Sequence, residues 1–239
     1  LDVHLCELQK NAPPDGNGDF VQHAFVDDTS GGDPFAMLAA YYHANKAYDW
    51  FRVFDPGFLL NQNARPLSVV ANLMLPAGYM SFDVVKMADP NIPLEPLPNA
   101  MYTGWDPQMG PMLQMAFPEI TGASLFMGQG TKTDFAFDGD VIYHEFGHAV
   151  VDSTIMLTGA WHLDAQGATA APGGMNEGMA DYFSSAVTGD GDQGEYAGSE
   201  FGLTAIRHLT NDKTCPEWLT GEVHADSEFF ASAIWQARD

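Results

Sequence analysis

The sequence predicts an α+β protein with a β-rich N-terminal lobe followed by a helical C-terminal lobe. Between residues 66 and 137, short apolar runs (SVVANLML, NAMY, ASLFMG) are separated by Pro and Gly, the punctuation of strands and their connections. After Asp138 the apolar spacing becomes helical in VIYHEFGHAVVDSTI, MNEGMADYFSSAV, FGLTAIRHLT and VHADSEFFASAIWQ, joined by glycine-rich loops. With 239 residues, 46% of them hydrophobic, the chain can bury a sizeable core in one domain or in two lobes sharing a cleft.

Taken in order, residues 1–33 form an irregular N-terminal segment, because NAPPDGNGDFVQHAFVDDTSGGDP is rich in Gly, Pro and Asp and has no packing period. Residues 34–140 make an N-terminal α/β lobe. It opens with a helix over Pro34–Phe54, where Pro34 suits a first turn and Phe35, Leu38, Tyr41, Tyr42, Tyr48 and Phe51 recur at helical spacing on a stripe expected to face a sheet. Residues 141–239 make the helical lobe. Its last segment, EFFASAIWQARD, reads as a helix that stops without a cap, so the lobe is expected to be truncated.

Charge narrows the function classes. Nine Lys plus Arg stand against 32 Asp plus Glu, so the surface repels phosphate backbones and anionic membranes, and neither nucleic acid nor a membrane is an expected partner. No apolar run approaches the roughly 20 residues that span a bilayer, and the first residues lack the basic-then-apolar layout of a signal peptide. The two cysteines, Cys6 and Cys215, form either one disulfide in an oxidising compartment or two buried thiols.

The chemistry concentrates in His144-Glu145-Phe146-Gly147-His148. Positions i and i+4 of a helix differ by about 40° of rotation and 6 Å of rise, which lets both imidazoles reach one ion. Glu145 then sits beside that ion, placed to accept a proton from water and return it to a leaving amine. Given 8 His and 10 Glu in the chain, chance yields such a pentad in only about 1% of cases. A catalytic zinc wants a third protein ligand and an open position. The metzincin continuation needs Gly at 151 and His at 154, and the chain has Val151 and Thr154. The alternative is a Glu on a second helix, which GMNEGMADYFSS supplies as Glu177. Asp181, one turn on, is the carboxylate expected to fix the tautomer of His144 or His148.

These residues resemble a thermolysin-type gluzincin, and Asn176-Glu177-Gly178-Met179-Ala180-Asp181 is similar to the Asn-Glu-Gly-x-x-Asp motif of the fungalysin-like branch. The resemblance runs from about Asp33 to the end and implies a zincin-like two-lobe metallopeptidase: a secreted, zinc-dependent endopeptidase that hydrolyses peptide or protein substrates with metal-activated water and Glu145 as general base. It further implies that NAMY, with Asn99 and Ala100, is an edge strand that binds an extended substrate. It places Arg207 beside the zinc as a donor to a substrate carbonyl, against the competing reading of a structural salt bridge. His224 is implied as the donor to the oxyanion. The family's orienting acid five residues before that histidine is missing, and Asp226 or Glu222 could serve. Its oxyanion tyrosine is also missing between His148 and Glu177, where Trp161 or His162, or Tyr182 beyond, could substitute.

Calcium is a further expectation. Asp140, Asp190, Asp192 and Glu195 offer the oxygens a hard ion prefers, and Asp15, Asn17 and Asp19 offer a second oxygen-rich loop. Met112, Met115 and Phe117 suit either a hydrophobic substrate pocket or core. A binding protein on a retired peptidase fold would typically have lost Glu145 or a ligand, and N-terminal trimming would need an amine anchor that no motif here supplies.

Overall fold

The computed structural model describes residues 12–26, 32–60, 65–79, 81, 89, 91–105, 117–155, 157, 161–165 and 167–238. The chain is α+β. It divides into two compact units, one of Leu1–Tyr42 with Arg65–Phe137, the other of His43–Ala64 with Asp138–Asp239. Helix α1 (Pro34–Phe54) contributes to both. Among the described residues no helix is long and apolar enough to cross a membrane.

Residues 12–26 contain no helix or strand. Their DGNGD turn closes on itself, the Asp15 carboxylate accepting from the Asn17 and Asp19 amides at 2.8 and 2.9 Å. Asp33 starts α1 by accepting from the Phe35 amide at 2.8 Å, in the manner of a helix cap. The buried stripe of α1 differs from the aromatic one expected. Ala36, Ala40, Ala44 and Ala47 are buried, while Tyr41 and Tyr42 are 63% and 62% exposed. Small side chains at one-turn spacing give a flat face for close packing, and the large amphipathic tyrosines are left toward water.

In the first unit β1 (Ser68–Pro76), β2 (Leu94–Pro96), β3 (Ala100–Thr103) and β4 (Ser124–Gly128) form one sheet in the order β2-β1-β4-β3. Strands β1 and β4 run parallel, and β2 and β3 pair antiparallel to them. Every residue of β4 is buried, as expected of a central strand, and Phe126 packs with Val70, Leu73, Leu97, Phe117 and Ile120. The β1–β4 register breaks between Val70 and Leu73, where Asn72 adopts φ 55° and its amide donates to the Asp33 carbonyl at 3.0 Å. Among the described residues strand β3 lies at an edge of the sheet, in register Ala100↔Met127 with β4.

Beside its share of α1, the second unit contains among the described residues the long helices α2 (Gly139–Thr154), α3 (Ala171–Thr188) and, last, an α-helix over Val223–Gln236. Asp138 caps α2, accepting from the Asp140 and Val141 amides at 3.0 and 3.3 Å, and its other oxygen accepts from Ala197 at 2.8 Å. Ile142, Phe146, Val150 and Val151 bury one face of α2, and Phe51 of α1 stacks on Phe146 with ring centroids 5.9 Å apart. Helix α3 carries a proline in its first turn and ends at Gly189, whose φ of 82° suits the left-handed cap.

Between these helices lie β5 (His162–Asp164) paired with β6 (Gly167–Thr169), then β7 (Asp192–Gln193), a short helix α4 (Glu195–Gly198) and β8 (Arg207–His208). The C-terminal helix is therefore α5. FGLTAIRHLT, expected to be helical, is not: after Phe201 the chain turns at Gly202 with φ 75°, and Arg207–His208 pairs antiparallel with Asp192–Gln193. Tertiary pairing overrides the apolar spacing there.

Candidate metal centre

Helix α3 packs against both α2 and α5, and glycines set the distances. A Cβ on Gly147 would lie 2.8 Å from the Ala180 Cα, and one on Gly178 would lie 2.6 Å from the Phe230 ring and 3.0 Å from the Ser227 carbonyl. Gly147 sits on α2 between His144 and His148, and Ala180 sits three residues after Glu177. The close approach thus brings the α3 carboxylate onto the two α2 imidazoles. We expect Gly147→Val to lower the unfolding free energy by about 1–3 kcal/mol, read as a fall in the urea midpoint, since the added carbons meet backbone rather than a movable side chain. An unchanged midpoint would show that the helices separate without cost.

His144 Nε2 and His148 Nε2 are 3.1 Å apart, and Glu177 places Oε2 3.2 Å from the first and Oε1 3.5 Å from the second. Four ligands around a zinc-sized ion, with bonds of about 2.0–2.1 Å, would be separated by about 3.3 Å, and the three observed distances bracket that edge. The outer nitrogens explain which way the lone pairs point. His144 Nδ1 lies 2.8 Å from Asp181 Oδ1, and His148 Nδ1 lies 2.8 Å from Asn176 Oδ1, whose amide is oriented by donating to the Leu157 carbonyl at 2.9 Å. Both Nδ1 atoms therefore donate, and in the neutral rings both Nε2 atoms turn bare lone pairs to the same point. Glu177 Oε2 is buried there with no aligned hydrogen bond among the described residues. Three electron-pair donors facing one another call for a cation, and His144, His148 and Glu177 could hold a metal ion.

The surroundings favour positive charge at that point. Burial works against a charged His144, yet the Asp181 carboxylate at its Nδ1 outweighs that and pushes its pKa up to about 10. Burial also opposes ionisation of Glu177, and the two imidazoles outweigh it, holding the carboxyl far below the usual range. Asp181 is fully buried and likewise held low against desolvation by Arg207 and His144. It is the hub of the centre: Oδ1 takes His144 and Arg207 Nε, each at 2.8 Å, and Oδ2 takes the Ser227 hydroxyl at 3.2 Å.

Of the two histidines Asp181 could serve, it meets His144, while His148 is held by Asn176, a partner the sequence reading passed over one residue before Glu177. Arg207 reaches the centre from β8, its Nη2 3.4 Å from His144 Nε2, and its Nε forms the ion pair with Asp181 that the salt-bridge reading expects. Glu145 is buried and lies close enough to Arg207 for their charges to interact. His224, on the first turn of α5, places Nε2 3.6 Å from Glu177 Oε1.

Between Asp226 and Glu222, Glu222 touches His224, Oε1 lying 2.7 Å from Nδ1, whereas Asp226 accepts from Thr220 and Gly221. Of the substitutes for a tyrosine, Trp161 is 60% exposed with its ring tip 4.0 Å from the Cβ position of Gly221, His162 lies in β5, and Tyr182 packs beside Phe183. Asn99 lies just before the start of β3 and Ala100 at it, the Asn99 side chain accepting from the Ala100 amide at 2.9 Å.

The four acids expected to hold calcium do not converge. Asp140 accepts from the Gly194 amide at 3.2 Å and hydrogen-bonds Glu195; burial, then that hydrogen bond, raises its pKa to about 7. Asp192 instead pairs with His208 at 2.7 Å, and Asp190 accepts from the Asp192 amide at 3.1 Å. Among the described residues, His144, His148 and Glu177 are the one group of three or more such side chains with metal-binding spacing. Phe117 belongs to the core of the first unit, and Met112, Met115 and Cys6 lie outside the described residues, while Cys215 is exposed. Comparison of the sequence with known protein families and with curated proteins finds no match.

Proposed function

We propose that the chain is a zinc-dependent endopeptidase of the thermolysin-type, fungalysin-like kind, zincin-like in architecture and secreted. The observation that carries this reading is the meeting of two imidazole Nε2 atoms and one carboxylate at tetrahedral-edge distances, beside a buried Glu145. Two histidines and a glutamate are a donor set for catalytic zinc rather than for the all-oxygen shells of calcium or magnesium. Zinc, when bound, supplies a Lewis acid that polarises the scissile carbonyl and lowers the pKa of water.

The chain's own residues do the rest. Glu145, next along α2 from His144, accepts the proton of the attacking water and delivers it to the leaving amine. Arg207 has its Nε edge committed to Asp181, which orients the guanidinium so that its outer nitrogens can donate to a substrate carbonyl. His224 donates from Nε2 to the developing oxyanion. The edge of β3, with Asn99 just before it and Ala100 at its start, offers backbone groups to an extended peptide. The Asp140–Glu195 pair remains a candidate calcium contact within this reading.

The test is cleavage of a diverse peptide mixture by the zinc-loaded protein, read by mass spectrometry. Internal cuts that disappear on chelation and return with zinc are expected. Cuts confined to N-terminal residues would replace the endopeptidase by an aminopeptidase, and zinc binding without any cut would leave a binding protein.

A further inference from the structure

Resting on the peptidase reading, we infer that Gln193 is a positioning residue for Arg207, its buried amide pinning the β7–β8 pair onto the same Asp181 that receives the guanidinium. Strands β7 and β8 have two residues each and pair in register Asp192↔His208 and Gln193↔Arg207. Residues directly opposite in an antiparallel pair share a face, and neighbours along a strand face opposite ways. One face therefore carries Asp192 with His208, both exposed and 2.7 Å apart. The other carries Gln193 with Arg207, and it meets α3.

On that face both side chains end on Asp181. Arg207 Nε donates to the carboxylate Oδ1 at 2.8 Å. Gln193 Nε2 donates to the backbone carbonyl of Asp181 and, at 2.9 Å, to the Ser185 hydroxyl one turn further along α3. Gln193 and Ser185 are both buried, so these bonds are made away from water, where an unmet donor is costly.

A pair of two-residue strands is too short to keep a fixed place by its own ladder. Its flanking bonds run from the Ile206 amide to the Gln193 carbonyl at 2.8 Å and from the Leu209 amide to the Gly191 carbonyl at 2.7 Å. They join the two segments to each other and not to the helices. Gly194, next in the chain, donates to Asp140 Oδ2 at 3.2 Å, which ties the segment to the start of α2. Gln193 supplies the tie to α3. The long Arg207 side chain has rotamers enough to reach Asp181 from a displaced strand, but its Nη2, now 3.4 Å from His144 Nε2, would then move off the centre. Gln193 thus fixes the root of the arginine, and Asp181 fixes its fork.

The test compares the zinc-loaded wild type with Gln193→Leu, Arg207→Ala and the double variant. Leucine fills most of the glutamine's space without donating, and the freed Ser185 hydroxyl can bond back to the Asp181 carbonyl four residues before it. In Gln193→Leu, kcat/KM for peptide cleavage is expected to fall by about 10- to 100-fold, the size that goes with a misplaced group at a reaction centre. In the Arg207→Ala background the same change should cause no further fall. His208→Gln, which breaks the exposed pair on the opposite face, should keep kcat/KM within about twofold of the wild type. If leucine leaves the chain unfolded, Gln193→Met takes its place in each comparison, since its flexible thioether adapts to the space and still donates nothing. Hydrogen exchange at Arg207 Nε, followed in 15N spectra, should be at least about tenfold faster in Gln193→Leu, with zinc or without.

Unchanged kcat/KM in Gln193→Leu, or an equal fall with and without Arg207, would overturn the assignment. So would a fall of the same size in His208→Gln, since any loosening of the strand pair would then suffice. A zinc-loaded wild type that cuts no peptide would sink the peptidase reading instead. The exchange rates would then decide Gln193 alone: faster exchange upholds its hold on Arg207, and equal rates end it.

Discussion

Replacing Glu145 by Gln is expected to leave zinc bound and to lower kcat for peptide cleavage by about 10²- to 10⁴-fold. Glutamine has nearly the shape of glutamate, so the buried position on α2 is filled and the helix is undisturbed. What it lacks is a site for a proton. Glu145 contributes no ligand atom to the His144, His148 and Glu177 group, so metal content should match the wild type. Cleavage at the wild-type rate would remove Glu145 from the reaction, and loss of zinc from the variant would move it from base to ligand.

The second large effect is on the metal itself. Ligand binding to the folded state stabilises it by about 4 kcal/mol when zinc is present at a thousand times its Kd. Glu177→Gln removes the one negative charge among the three donors, and with it most of the attraction for a dication. The zinc-dependent rise in melting temperature expected of the wild type should fall to near zero in this variant at the same zinc concentration. The metal-free proteins provide the baseline for each. A rise of equal size in Glu177→Gln would mean that the two histidines hold the ion with some other group.

Sequence periodicity carried the large helices because each is long enough to repeat a buried face: Ile142, Phe146 and Val150 mark α2 at one-turn intervals. It misread two places for physical reasons. In α1 the aromatic residues outshone the alanines, although Ala36, Ala40, Ala44 and Ala47 form the buried stripe. Around Arg207 a two-residue strand has no room to show a period, and its partner Asp192–Gln193 lies in another part of the chain.

The metal donors were legible because i and i+4 on one helix are geometry written in one dimension, and the Asn-Glu-Gly-x-x-Asp string supplied the third. Asn176 stood in that same string, but nothing in a sequence says which amide faces which imidazole. The choice between Glu222 and Asp226 likewise needed the turn at Gly221. The acidic loop looked like a calcium site because composition shows how many oxygens are nearby and not where they point. In the fold Asp192 turns to His208 and Asp190 to a backbone amide.

The close seat of Ala180 on Gly147 also bears on which ion the centre would accept. The two imidazoles belong to one helix and the carboxylate to another, so the gap between helices measures out the space among the donors. Ionic radius would thereby be read by a residue that has no side chain. Drift at Gly147 would push the carboxylate outward and favour a larger ion over a smaller one, changing the metal without altering any residue that touches it.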